Sequence, residues 1–335
     1  MTQSGGTIQS AMNSAYHCVD LSRRSVLGGA ALLSARIAES SSKPGEQQHP
    51  KLKVAIFSKH LLFLRGAELA DGAAEIGFDG IDLAVRKGGH VEPERVRKDL
   101  PALVATIRQR GLEVPMVTTD ILDDRTPYAE DIISTASELG IKNYRWGGFK
   151  YNHRQPIATQ LDQLKPGVEK LASLNARYRA TAMYHTHSGV DLVGAPIWDL
   201  HELLGGFDPT AVGVNYDVGH ATVEGGLGGW IDSFRIIGSY LRGIAVKDFL
   251  WDKDARGNWR PAWKPLGEGM VRLHAFFEMV AGAGFSGPLQ LHFEYPLAGA
   301  DTGAADIGSH KQEVFAAMRR DLKRLRTYLH EAKLA

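Results

Sequence analysis

Short apolar runs alternate with segments of helical periodicity along most of this chain, and this alternation constrains the fold more than any other feature. From Lys51 onward, eight runs have the length and composition of buried strands. They lie at residues 52–57, 80–83, 113–118, 143–145, 179–185, 212–217, 241–247 and 288–294. Strands that alternate with helices pair in parallel through right-handed crossovers, because each helix packs back onto the sheet.

Eight such units in about 280 residues match the usual size of a (β/α)8 barrel. We therefore predict an α/β fold consisting of a single TIM barrel over residues 51–335. A doubly wound open sheet is the runner-up, but no Gly-x-Gly-x-x-Gly motif follows the first strand candidate. The glycine-rich stretch 225–229 lacks the lysine and hydroxyl of a phosphate-binding loop, so we interpret it as a flexible loop at the barrel rim.

The N-terminal segment has the composition of an export signal and a linker. Arg23 and Arg24 precede a short apolar run at residues 28–33, which is too short for a permanent membrane anchor. Paired arginines are typical of a twin-arginine signal. We predict such a signal over residues 1–38, a polar linker over 39–50 and a periplasmic or otherwise exported protein. A disordered basic N-terminus is the alternative.

Charge and cysteine content exclude several classes of function. The formal net charge is +1, so no global field would attract nucleic acid or an anionic membrane. The single cysteine, Cys18, excludes a disulfide within the chain and lies inside the predicted signal. We expect a small molecule as the partner, no nucleic acid and no stable membrane insertion after signal removal. Assembly into a homo-oligomer is left open.

Ionisable side chains gather at the ends of the last four strand candidates, where barrel enzymes carry their chemistry. These residues are His185, His187, Asp217, His220, Lys247, Asp248 and Glu294. Residues two apart on a strand share a face, so imidazole, carboxylate and ammonium groups can converge on the barrel axis. Imidazole with carboxylate suits Mn²⁺, Fe²⁺, Co²⁺ or Zn²⁺.

Each of these residues also has a structural interpretation. His187 or His220 could cap a following helix, Asp217 could cap a loop, and Lys247 with Asp248 could form a structural ion pair. Glu294 fits such an account least well. It ends an otherwise apolar run, and a buried carboxylate without a partner is costly.

Other residues are candidates for binding the substrate. Asp82 ends the second strand candidate, and Arg86 and His90 lie in the loop that follows. Arg86 could bind an anionic group or pair with Glu92. Trp230 and Trp251 belong to a tryptophan-rich region, residues 230–263, where aromatic faces could stack on sugar rings or pack a long loop.

Four segments resemble the xylose isomerase-like TIM barrels, a superfamily that includes sugar phosphate isomerases and epimerases. They are residues 216–221 (YDVGHA), 246–249 (VKDF), 265–269 (PLGEG) and 292–295 (HFEY). The resemblance covers the chain from about Leu52 to its end. It implies a divalent metal held at the ends of strands five to eight by Glu, Asp, His and Glu.

Asp217 and Glu294 match the second and fourth of these positions. His185 stands where the family often has the first glutamate, and Ala245 where it often has the histidine. We therefore expect a divalent metal (Mn, Co, Fe or Zn) bound by His185, Asp217 and Glu294. His187 or His220 is the candidate fourth ligand.

The resemblance implies a metal-assisted isomerase, epimerase or dehydratase/lyase that removes a proton α to a carbonyl of a sugar, polyol or keto-sugar. Glu294 would be the base, with a pKa near neutrality, and Lys247 or His185 the acid. Lys247 and Asp248 would also contact the substrate. Two alternatives remain: a carbohydrate-binding barrel without metal or catalysis, and a phosphodiester-hydrolysing enzyme like the endonuclease branch, which the near-neutral charge disfavours.

Overall fold

A computed structural model of the protein describes residues 51–335, and the predicted export signal and linker lie outside the described residues. Eight parallel strands form the barrel. They are β1 (Val54–Phe57), β2 (Gly80–Ala84), β3 (Glu113–Thr118), β4 (Asn143–Trp146), β5 (Thr181–His185), β6 (Val212–Asp217), β7 (Leu241–Val246) and β10 (Leu289–Leu291). The barrel is closed, in the order β1-β10-β7-β6-β5-β4-β3-β2. Since β1 pairs with both β2 and β10, the predicted TIM barrel is confirmed and the open sheet is wrong.

Helices surround the barrel and cover the outward faces of its strands. They are α1 (Ala67–Ile76), α2 (Val96–Gln109), α3 (Ala129–Glu138), α4 (Ile157–Tyr178), α5 (Trp198–Leu204), α6 (Val218–Gly225), α7 (Gly229–Ile237), α8 (Leu273–Gly282) and α9 (Lys311–Glu331). The three- and four-residue spacing of apolar residues predicts α9, which buries Val314, Met318, Leu322 and Leu325. No helix within residues 51–335 is both long and apolar enough to cross a membrane.

The last barrel strand is shorter than the sequence predicts, because its end leaves the ladder. The predicted run extends to Glu294, whereas β10 ends at Leu291. His292 still donates its N–H to the Val246 carbonyl at 2.9 Å, but the next N–H, of Phe293, donates to the imidazole Nε2 of His60 at 3.1 Å. This departure from strand geometry follows from the side-chain partner, and it releases Glu294 into the barrel mouth.

An antiparallel hairpin follows β7 and was not predicted. It consists of β8 (Asp248–Lys253) and β9 (Trp259–Lys264). Its turn is held by Asp254, whose Oδ1 accepts the N–H groups of Arg256 and Asn258 at 2.9 Å each. Gly257 supplies the positive φ, 80°, that the turn requires. The hairpin carries several of the tryptophans that the sequence places in loops.

Candidate functional site

Lys247 lies at the centre of the barrel mouth, directly after β7. Its side chain is 2% exposed, and its Nζ lies 2.9 Å from Glu294 Oε2 and 3.2 Å from Asp217 Oδ2. The same nitrogen lies 2.6 Å from His220 Nε2, and 4.4 Å from the centre of the Trp263 ring. The ammonium group thus joins the ends of β6, β7 and β10 in one buried network.

The two carboxylates of this network differ in acidity. Burial raises the pKa of Asp217 to about 6, with Lys247 lowering it and Glu294 raising it. Burial alone also raises the pKa of Glu294, but Lys247 and Lys59 outweigh that effect and lower it to about 2. Glu294 is therefore ionised at neutral pH, as a base must be, although its pKa lies far below the near-neutral value that the sequence suggests.

Asp217 is held by the backbone through one oxygen and leaves the other toward the mouth. It caps α6, since its Oδ1 accepts the N–H of His220 at 3.0 Å. Its Oδ2 is fully buried and accepts no hydrogen bond from the described residues, because Lys247 approaches it outside hydrogen-bond geometry. A buried carboxylate oxygen that accepts no hydrogen bond is available to a second cation or to a substrate hydroxyl.

Two imidazoles face this oxygen. His185 Nε2 lies 3.7 Å from Asp217 Oδ2, and His292 Nδ1 lies 4.0 Å from it. One ligand atom from each of the three residues lies within 4.8 Å of the others. Burial lowers the pKa of both imidazoles well below the ordinary value, with further lowering by His187 at His185 and by Lys247 at His292. Both are therefore neutral, which is the form that binds a metal.

His292 is a candidate ligand that the sequence prediction missed. The resemblance implies a histidine at Ala245, where this chain has only a methyl group. Gln290 pairs with Ala245 across the β7–β10 ladder, and His292 follows two residues later on the same face. An imidazole from the residue directly after β10 thus reaches the mouth beside a strand that lacks one. The alternation of Gln290, His292 and Glu294 was the signal that could have identified it.

The His185–Asp217–His292 group fits a divalent metal in its donor chemistry. It offers two neutral imidazoles and a carboxylate oxygen without a hydrogen-bond donor. The side-chain amide of Asn215 affects whether His185 can bind a metal, because the amide nitrogen lies 3.0 Å from His185 Nδ1. A metal on His185 Nε2 requires the ring proton on Nδ1, and the amide must then present its oxygen to that proton.

The other two histidines of the predicted ligand set lie beside this group with different partners. His220 has both ring nitrogens engaged, with Ser188 Oγ at 2.8 Å and Lys247 Nζ at 2.6 Å. His187 lies between the rings of His185 and His220, at centroid distances of 4.5 and 5.0 Å. Its Nδ1 contacts the carbonyl of His185 at 3.2 Å. In this geometry His220 is a partner of Lys247.

The predicted substrate residues of the second strand and its loop lie in different settings. Asp82 is buried at the end of β2, where both of its oxygens accept the hydroxyl of Thr118 at 2.9 and 2.8 Å. Arg86 faces the ring of Phe57, with 5.4 Å from the guanidinium carbon to the ring centre. His90 has both ring nitrogens on the segment that follows β1, facing Ser58 Oγ and the Leu64 carbonyl at 3.2 Å each.

Arg86 does not pair with Glu92, the alternative raised by the sequence. Its ion-pair partner among the described residues is Asp120, at 3.8 Å. Glu92 instead accepts the N–H of Gly88 at 2.9 Å and closes the loop. Arg86 lies beside the barrel mouth, and its ion-pair partner is a distant and exposed carboxylate.

Asp248 is a backbone anchor. Its carboxylate accepts the N–H groups of Phe249, Gly267, Gly269 and Val271 at 2.9 to 3.1 Å. A side chain at position 269 would place its Cβ 2.0 Å from the carboxylate, so this close approach requires glycine. The arrangement ties the hairpin to the loop that follows it, and both carboxylate oxygens are occupied.

Of the tryptophans between residues 230 and 263, the one that reaches the mouth is Trp263. Its ring faces Lys247 and packs edge-on against His220 at 5.1 Å. Trp230 is buried in the helical layer beside Phe276, and Trp251 is 40% exposed on the hairpin. The sequence could not separate these three positions, because it did not predict the hairpin that turns Trp263 inward.

His60, another residue that the sequence prediction missed, shapes the exit of β10. It is fully buried, and its Nδ1 donates to the Ala300 carbonyl at 3.0 Å while its Nε2 accepts from Phe293. Burial lowers the pKa of His60 to about 3, so the ring stays neutral and keeps this donor–acceptor polarity. The ring thus fixes the backbone immediately before Glu294.

Comparison with known proteins places the fold in a family. The model of the family described as xylose isomerase-like TIM barrel matches residues 70–325. No curated protein matches this chain.

Several solved structures resemble the chain at low sequence identity. A xylose isomerase domain protein from Planctomyces limnophilus shares 17% identity, with a TM-score of 0.62, over 84% of this chain and 99% of its own. A 3-keto-D-glucoside 4-epimerase from E. coli shares 16%, with a TM-score of 0.58, over 83% and 100%. A probable 3-DHS dehydratase from Bacillus anthracis shares 17%, with a TM-score of 0.56, over 81% and 99%. These likenesses concern the fold.

Proposed function

Since this chain belongs to the xylose isomerase-like TIM barrel family, we propose that it is an isomerase, epimerase or dehydratase that removes a proton α to a carbonyl of a sugar, polyol or keto-sugar. The observation that carries the proposal is the buried Glu294–Lys247–Asp217 network at the carboxyl ends of the strands. It combines an ionised carboxylate with a cation beside neutral imidazoles. The solved structures described as an epimerase and a dehydratase support the same class of chemistry.

Glu294 is the proposed base. It takes the proton from the carbon next to the carbonyl, and negative charge develops on the carbonyl oxygen as an enediolate forms. In the free protein Lys247 and Lys59 together lower the pKa of Glu294 to about 2 against the effect of burial, which makes the carboxylate a weak base. A substrate oxygen that draws the ammonium away from Glu294 raises its basicity at the moment the proton is removed.

Lys247 is the proposed electrophile and acid. Its Nζ can turn from Glu294 Oε2, 2.9 Å away, to the enediolate oxygen and stabilise the charge there. His220 accepts a hydrogen bond from the same nitrogen and orients it. Delivery of a proton from Lys247 to the opposite face of the carbon gives epimerisation and leaves the abstracted proton on Glu294, whereas loss of a β-hydroxyl, protonated by Lys247 and released as water, gives elimination.

His185, Asp217 and His292 would hold a divalent metal such as Mn²⁺, Co²⁺, Fe²⁺ or Zn²⁺ in this site. When bound, it would supply Lewis-acid polarisation of the carbonyl and the adjacent hydroxyl. Glu294 Oε1 lies 4.0 Å from His292 Nδ1, so the base adjoins the same group. Export to the periplasm through the predicted twin-arginine signal is part of the proposal, and it favours unphosphorylated sugars as substrates.

A metal-free carbohydrate-binding barrel is the second candidate, and one observation favours it. Lys247 already places a cation 3.2 Å from the Asp217 oxygen that a metal would need. Metal analysis after soaking with Mn²⁺, Co²⁺ or Zn²⁺ separates the candidates. Binding that weakens in Asp217→Asn, but not in the exposed control Asp252→Asn, supports the metal. No binding in the wild type would remove it from the mechanism.

Deuterium exchange tests the catalytic step directly. Keto-sugars incubated with the protein in D₂O should gain deuterium at the α carbon, as followed by NMR. Glu294→Gln should abolish this gain, because an amide cannot accept the proton, while the exposed control Glu268→Gln should retain it. Undiminished exchange in Glu294→Gln would show that the base lies elsewhere, and binding without exchange in the wild type would favour the binding barrel.

A further inference from the structure

Three cationic side chains lie on the side of the mouth formed by β1 to β4. Lys59 is in the turn after β1, Arg86 follows β2, and Arg145 is on β4. Lys59 Nζ and the Arg86 guanidinium carbon face the same Phe57 ring, at 5.8 and 5.4 Å from its centre. Arg145 pairs in register with Thr118, the residue that donates to Asp82. The three cations therefore surround the ends of neighbouring strands.

Two of these cations have no counter-ion among the described residues, and the third has only a distant and exposed one. Within residues 51–335, the side chains of Lys59 and Arg145 make no hydrogen bond and no ion pair within 4.0 Å. The partner of Arg86, Asp120, is 3.8 Å away and its side chain is 62% exposed. An unpaired charge in a partly buried site is costly, so a ligand that neutralises it is favoured.

Asp82, the buried carboxylate on this side of the mouth, is a poor counter-ion. Burial raises its pKa to about 7, against the lowering effects of Thr118, Arg145 and Arg86. Its two oxygens face the Thr118 hydroxyl, and neither forms an ion pair within 4.0 Å with a described cation. Burial also lowers the pKa of Lys59 and of Arg145, and their cationic neighbours lower both further. Positive charge is thus in excess on this side of the mouth.

The cationic side adjoins the proposed reaction centre. The Phe57 ring, which Lys59 and Arg86 face, packs against the His292 ring at a centroid distance of 5.2 Å. Lys59 and Arg145 are both close enough to Glu294 for that carboxylate to raise their pKa. One small ligand can therefore reach the base at one end and the cations at the other.

We propose that the substrate carries an anionic group, a carboxylate or a phosphate, that binds to Lys59, Arg86 and Arg145 while its carbonyl end faces Glu294 and Lys247. Two guanidinium groups suit this ligand, because each can donate two parallel hydrogen bonds to an oxyanion. The substrate class is then a keto-sugar acid, which agrees with the unphosphorylated substrates that export favours, or a keto-sugar phosphate, which would contradict the export part of the proposed function. This inference rests on the proposed function and names the substrate class of the same site.

Three ligands of one carbon skeleton test it: D-fructose, D-fructuronate and D-fructose 6-phosphate, with affinities measured by titration calorimetry. We expect one anionic ligand to bind at least tenfold more tightly than D-fructose. Preference for D-fructuronate assigns a carboxylate, and preference for D-fructose 6-phosphate assigns a phosphate. Equal affinity for all three ligands, or no binding of any, overturns the proposal.

Substitutions of the three cations test whether they bind the anionic group. Arg145→Gln should weaken the preferred anion at least tenfold and change the affinity for D-fructose less than twofold, whereas the exposed control Arg256→Gln should change neither. If Arg145→Gln does not fold, Lys59→Gln and Arg86→Gln carry the same expectation. Retention of the full anion preference in the folded variants overturns the proposal. Anion binding that depends on these residues, without deuterium exchange in any ligand, supports the anion site and contradicts the proposed catalysis instead.

Discussion

The two sides of the barrel mouth differ in whether their cations are paired with carboxylates. On the side of β6, β7 and β10, Lys247 is shared by two carboxylates, Asp217 and Glu294. On the side of β1 to β4, Lys59 and Arg145 have no carboxylate within 4.0 Å among the described residues. A cation that is paired with carboxylates holds those reactive groups in place. A cation without a paired carboxylate is available to an anionic ligand. The comparison separates a reaction side from a binding side.

Replacement of lysine on each side should give the largest contrast. Lys247→Met leaves Asp217 and Glu294 without their cation, so we expect it to lower the free energy of unfolding by about 3 kcal/mol and to reduce the deuterium-exchange rate on the order of 100-fold or more. Lys59→Met removes a cation that has no carboxylate within 4.0 Å among the described residues and acts on Glu294 only over a longer distance, so we expect it to cost less than about 1 kcal/mol of stability. Urea denaturation and exchange rates measure both. Similar losses of stability in the two variants would break the comparison.

Asp82, on the side of β1 to β4, should make the stability of the protein depend on pH. Because burial raises its pKa to about 7, the folded state holds this proton up to a higher pH than the unfolded state does. Stability is therefore lost as the pH rises from about 4 to about 7. Asp82→Asn should remove this loss. As the pH rises from 5 to 7, its free energy of unfolding should increase relative to that of the wild type by on the order of 2 kcal/mol.

Urea denaturation of the wild type and of Asp82→Asn at the two pH values provides the measurement. A difference between the proteins that is the same at pH 5 and at pH 7 would show that the carboxyl group does not titrate as its burial implies.

Metal affinity should distinguish the histidines of the two sides. His292 faces Asp217, so His292→Leu should weaken Co²⁺ binding by about tenfold or more. His90, whose nitrogens contact Ser58 and Leu64, should tolerate His90→Gln with unchanged affinity. Titration followed by the visible absorbance of Co²⁺ measures both variants. Unchanged affinity in His292→Leu would remove this residue from the ligand set.

The smallest effects are expected at the tryptophans. Trp263 faces the Lys247 ammonium, so Trp263→Leu should cost about 1 kcal/mol of stability and shift the kcat of the exchange reaction. Trp251 lies on the exposed hairpin, so Trp251→Ser should change stability by less than about 0.5 kcal/mol and leave KM unchanged. An increase of KM in Trp251→Ser would restore the sequence-based assignment of this residue to the substrate.

Much of the fold could be predicted from the sequence, because apolar strand runs and helical periodicity are local signals. The eight barrel strands and α9 were found in this way. The hairpin β8–β9 was not, since its half-exposed strands interrupt the apolar pattern with charges and tryptophans. The end of β10 was misplaced because the Phe293 N–H finds its partner in His60, which lies 233 residues away in sequence.

The candidate site follows the same division. The sequence by itself determined that ionisable side chains stand at the carboxyl ends of the strands, and that Glu294, Asp217 and Lys247 are among them. Only the tertiary structure decided that Lys247 lies between the two carboxylates and that His292 stands beside Ala245. It also decided that Lys59 and Arg145 have no carboxylate within 4.0 Å among residues 51–335. The physical reason is that closure of the barrel brings distant strands together, and the partners of a charge are set by distance in space rather than along the chain.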